Sequence, residues 1–133
     1  MSKVLSKQDI LQAKDVKIEQ VEVPEWGGHV YVRSISALER GLIEEDAAKF
    51  KESKGKGSFA RTFTVKFASL ALCDEKGKRL FDDKDIALLQ EKNAAAISRI
   101  AEAAQRLSGF SQEDMEELEK NSKGTQEDDS PSD

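Results

Sequence analysis

The chain has 133 residues, 38% of them hydrophobic, 6% aromatic and 35% charged, with one cysteine and one histidine. That length allows one domain with a thin core, while a lone Cys73 excludes an internal disulfide and a lone His29 cannot by itself recruit a metal or run a triad. The net charge of -5 is uneven: residues 110–133 carry nine acids and two lysines, or -7, which leaves +2 for everything before them.

Ser6, with Asp9 three residues on, caps a short helix from Ser6 or Lys7 to Lys14 that has little to bury beyond Ile10 and Leu11. A strand at about 16–23 follows. Val16 and Ile18 alternate in one phase and Val21 and Val23 in the other, which predicts a bulge or kink near Gln20. Pro24 ends the ladder, Glu25 to Gly28 make the turn, and a strand at about 29–34 returns with Val30 and Val32 inward and His29, Tyr31 and Arg33 outward. Two strands alone are marginal, so the hairpin must lie on helices or offer the Val30 and Val32 strand as an edge to another subunit. Trp26 beside Gly27-Gly28 reads first as a plug over hairpin and helices and second as an exposed anchor for a partner.

Ser36 and Glu39 form a capping box for a helix from Ala37 to about Lys51, with Leu38, Leu42, Ile43, Ala47 and Phe50 on one stripe. The linker from Lys51 to Ser58 breaks that pattern with glycines, serines and lysines. Phe59, Phe63, Phe67 and Leu70 at helical spacing then mark the most hydrophobic helix, running to Cys73 and central to the core. Asp74 to Gly77 is a tight turn. Asp82 or Asp83 caps a helix to about Lys92, and Asn93 caps one from Ala94 to Leu107 that Gly109 closes, with Ile97, Ile100, Ala101, Ala104 and Leu107 on its buried side. Ser111 with Asp114, and Phe110 with Met115 as a hydrophobic staple, start a last short helix toward Asn121. These elements make an α+β, mainly α-helical fold: an N-terminal β-hairpin on a bundle of about four to five short helices over residues 1–121. A disordered acidic tail is expected over 122–133.

No nucleophile constellation, phosphate loop or paired metal-ligand spacing occurs, and Asp82, Asp83 and Asp85 lack the glycine and closing glutamate of a calcium loop. The sequence therefore predicts no catalysis, metal or cofactor. Lysines and Arg61 between Lys49 and Lys66, interleaved with Phe50, Phe59 and Phe63, could meet nucleic acid by phosphate pairing and stacking. The acidic balance and the helical spacing of the phenylalanines favour a solvated linker instead. No apolar run approaches the roughly 20 residues that span a bilayer, and MSKVLSKQDILQAK lacks the apolar block of a signal peptide, so no membrane partner is expected.

The segments VEVPEWGGHVYVRSISALER and CDEKGKRLFDDKDIALLQEKNAAAISRIAEAAQRLSG, followed by MEELEKNS, carry a resemblance over about two thirds of the chain. They resemble the tail assembly chaperones of long-tailed siphovirus bacteriophages, the lambda G protein type. The resemblance implies a self-associating chaperone that works in the host cytoplasm, coats and solubilises the tape measure protein, and does not join the virion. It further implies a longer form, made by ribosomal frameshifting, that recruits tail tube protein. Lys123-Gly124 suits such a slip, since AAG-GGN codons after a codon ending in A form a slippery site. Trp26, Phe50, Phe59 and Phe63, large apolar groups beside flexible segments, are the candidate partner contacts. The main rival is a small tail or connector subunit that forms rings in the virion. A DNA-mimicking acidic decoy ranks lower, because the negative charge sits mostly in the tail.

Overall fold

The computed structural model describes residues 2–52, 59–111, 113–114 and 116–117, with the backbone alone given at 50–52 and 59–62. The elements in order are α1 (Lys7–Gln12), β1 (Ile18–Val23), β2 (Gly28–Arg33), α2 (Ala37–Glu52), α3 (Phe59–Ala71), β3 (Leu72–Cys73), α4 (Ile86–Leu89) and α5 (Ala94–Leu107). The fold class expected from sequence is borne out: a small antiparallel sheet of order β1-β2-β3 lies against helices.

Several helix starts follow local rules. Ser6 and Asp9 exchange side-chain and backbone bonds of 3.1 and 3.0 Å, Ser36 and Glu39 do the same at 3.2 and 2.9 Å, and Asn93 accepts from the Ala96 amide at 3.0 Å. Gly109, at φ 80°, ends α5 in a conformation that a side chain would strain. Asp82 also caps as expected, but the chain then makes only a 3-10 turn over Asp83–Asp85 and the single helical turn of α4. Ser111 and Asp114 make their pair at 3.0 Å both ways, while the Met115 half of the staple and the path to Asn121 lie outside the described residues.

Four expectations need correction. The hairpin register runs unbroken from Ile18↔Arg33 to Val23↔Gly28, so no bulge lies at Gln20. Val16 precedes the strand and Ile18 sits on the outer face, which removes the phase conflict. The most hydrophobic helix stops at Ala71, and Leu72 and Cys73 become β3, pairing with Val32 and Tyr31. β2 is thereby central and cannot offer an edge; the open edge belongs to β1. Leu38, placed on the buried stripe of α2, is 74% exposed, because Ile43 and Ala47 set the buried line of that helix about 140–180° away from it.

The core lies where α3 and α5 meet each other and the inner sheet face. Phe67, Leu70, Leu72, Ile43 and Ile100 are its largest fully buried apolar residues. Ala96, Ala101, Ala103 and Ala104 on α5 are buried and small, so α3 can approach closely. Phe67 sits between Phe63 and Phe110, edge-to-face at centroid distances of 5.2 and 5.1 Å, and the Arg40 guanidinium caps the Phe110 ring at 4.4 Å.

Two arginines close the C-terminal end of α3, whose last carbonyls have no helical partner. Arg33 donates to the Leu70 carbonyl at 2.8 Å and to Glu39 at 2.6 Å, while Arg79 donates to the Ser69 carbonyl at 3.3 Å and to the buried Ser69 hydroxyl at 2.9 Å. Their charge also suits the negative end of the helix dipole. Cys73, between Tyr31 and a bridge to Arg79, is buried, and burial pushes its thiol pKa up. Native protein at pH 8 is accordingly expected to react with a disulfide reagent at least about 100-fold more slowly than a free thiol, reaching the ordinary rate in denaturant. Timed thiol titration reads this directly.

Candidate partner-binding surface

Among the described residues no group of three or more His, Cys, Asp or Glu could hold a metal ion. Also among them, no helix is long and apolar enough to cross a membrane.

The hairpin tip is fixed to α5 by charge. Arg99 grips Glu25 through two bonds of 2.8 Å, and Arg106 grips Glu19 at 3.0 and 2.7 Å, so β1 is tied near both ends to one helix. The Arg99 hydrogen bonds pull the Glu25 carboxyl down to about 2, and Arg106 lowers that of Glu19. A depressed folded-state value means the bridge contributes fully above the ordinary carboxylate range and is lost as pH falls. Titration of the Glu25 carboxyl by NMR is expected to show a midpoint near 2 in the native protein and a clear rise in the Arg99→Ala variant, where the Glu25 backbone hydrogen bond still lowers it.

Trp26 stands beside this clamp in a 3-10 turn closed by Gly27 at φ 77°. It is 38% exposed, so it is covered in part and keeps part of its indole at the surface. Phe63 is half-buried and packs on Phe67 at the core margin, leaving part of its ring at the surface. The side chains of Phe50 and Phe59 lie outside the described residues; their backbones place them in the last turn of α2 and at the start of α3. His29 meets Tyr31 edge-to-face at 5.7 Å on the outer sheet face and has no metal-binding company among the described residues.

A surface groove of about 340 Å³ opens between α3, α4 and α5. Val65, Leu89 and Ile97 give it an apolar floor, and Thr64, Gln90 and Ser98 are on its walls. Leu88, 65% exposed, is the neighbour of Leu89 in α4. Sequence reasoning missed this groove because its floor comes from three separate helices. One signal was present: two adjacent leucines in a four-residue helix point about 100° apart and cannot both be buried on one side.

No curated protein matches the chain. Among solved structures, the bacteriophage HK97 tail assembly chaperone superposes with a TM-score of 0.56 at 22% identity, covering 75% of this chain and 94% of that one. That likeness concerns the fold. The model of the phage tail assembly chaperone family matches residues 6–121, from the cap of α1 to beyond the last described residue. Its members are assembly factors rather than an enzyme family, in keeping with the surface just described. A match over that span, with the hairpin and the capped helices inside it, places the chain in the phage tail assembly chaperone family.

Proposed function

We propose that this chaperone binds and solubilises the tape measure protein in the host cytoplasm, without catalysis and without entering the virion, and that a frameshifted longer form recruits tail tube subunits. Family membership over residues 6–121 supports this reading, and the apolar groove of Val65, Leu89 and Ile97 with the exposed Trp26 supplies physical means. An extended apolar helix needs many weak contacts along its length, so several self-associated copies hold it by avidity until tube protein displaces them.

Co-expression with the tape measure protein of the same phage is expected to bring that protein into the soluble fraction, with several chaperone copies bound per chain. An insoluble partner, with this chain recovered from finished particles, overturns the proposal and favours a structural tail subunit. The frameshift is tested separately by the nucleotides around Lys123-Gly124: no slippery heptamer there means no longer form by that route.

A further inference from the structure

Residues 2–17 form an arm joined to the domain at Lys17, whose backbone bonds Ser34. α1 is only six residues long and buries none of them, although its capping box is complete. Ile10 and Leu11 are 59% and 68% exposed, and Leu5, just before the Ser6 cap, is also exposed. Isolated helices this short are unstable in water, and helices in proteins are held mainly by packing an apolar face. The arm thus carries a capped helix and an apolar row that its own domain does not bury.

The structure also offers a matching surface. The groove over Val65, Leu89 and Ile97 has room for two branched aliphatic side chains. Its α4 wall and the turn before it, residues 82–92, carry Asp82, Asp83, Asp85 and Glu91 against Lys84 and Lys92, four minus two, a net -2. The arm carries Lys3, Lys7, Lys14 and Lys17 against Asp9 and Asp15, four minus two with the opposite sign, a net +2. Arm and groove lie at opposite ends of α5. The arm joins β1 where Lys17 and Ser34 bond at 3.0 Å and Ser108 accepts from the Ile35 amide at 2.9 Å, whereas Ala94, Ile97 and Ser98 line the groove.

We infer that the arm of one copy docks on a second copy of this chain, with Ile10 and Leu11 seated in the groove between α3, α4 and α5 and the arm lysines facing the acids of 82–92. The inference rests on the self-association proposed above and supplies its surface. Because α1 touches none of the core, its substitution leaves the fold intact, which thermal unfolding of the variant verifies.

Sedimentation velocity of the full chain over a concentration series, beside the Ile10→Glu/Leu11→Glu variant, tests the inference. Loss of two apolar side chains from a buried site is expected to weaken association at least about 100-fold, and added salt to weaken the wild type. Mixing a Leu11→Cys chain with a Gln90→Cys chain should give a disulfide between copies, since Cys73 is buried. A wild type that associates equally well with and without the variant pair overturns arm docking while self-association stands. A wild type that stays monomeric throughout overturns both. An intrachain disulfide in a chain carrying both cysteine substitutions, with none between mixed chains, assigns the groove to its own arm and overturns the inference.

Discussion

Replacing Phe67 by alanine is expected to destabilise the protein by about 3–5 kcal/mol, the range for deleting a buried phenylalanine from a core that collapses only partly. Phe67 is fully buried and touches aromatic rings on two sides, Phe63 within α3 and Phe110 beyond α5. Its removal leaves a cavity and also frees Phe110 from the ring that orients it beneath Arg40. For a domain of this size the melting temperature should fall by roughly 12 °C or more. Phe67→Leu keeps most of the volume and should cost about half as much. Calorimetry or urea unfolding of the three proteins checks the order, and a loss under about 1 kcal/mol for alanine would show that Phe67 is not central.

The second large effect is expected at Arg33. Its guanidinium joins the Glu39 carboxylate, which starts α2, to the Leu70 carbonyl, which ends α3, and both charged side chains are mostly buried, 11% and 15% exposed. Removing one member strands the other, so Arg33→Ala is expected to cost about 3 kcal/mol, the lower end for breaking a buried pair. Replacing both, by Arg33→Met with Glu39→Gln, should recover part of this, because no unpaired charge remains. The Arg33 Nε is buried without a partner among the described residues, so the site is not fully satisfied and an apolar stem loses little there. A double-mutant cycle measures the coupling, and a value near zero would sink this account.

What could be read from the residues was whatever obeys a short-range rule. The caps at Ser6, Ser36, Asp82, Asn93 and Ser111 need only a donor and an acceptor three residues apart, and α5 keeps its expected bounds of Ala94 and Leu107 because Asn93 and Gly109 mark both ends. The change from α3 to β3 was hidden. Leu72 and Cys73 continue an apolar helix in composition, and only pairing with Val32 and Tyr31, about 40 residues earlier, makes them a strand. The same long-range pairing moved the open edge from β2 to β1. Leu38 was misplaced because a sequence stripe shows which residues share a side, not which side finds the core. At the candidate surface, Trp26 was legible as a large residue in a turn, whereas the groove needs Val65, Leu89 and Ile97 brought together by tertiary packing.

The placement of β3 also sets an order of events on the ribosome. β1 and β2 are neighbours in sequence and can pair as soon as both have been made. Among the described residues, the far side of β2 pairs with Leu72 and Cys73, roughly 40 residues after β2 ends at Arg33. At the usual pace of about 5–20 residues per second, the nascent hairpin shows a bare strand for roughly 2–8 s. Arg33 faces the same delay, since the Leu70 carbonyl that receives it arrives in that interval. A tail assembly chaperone thus passes through a brief stage of needing shielding itself.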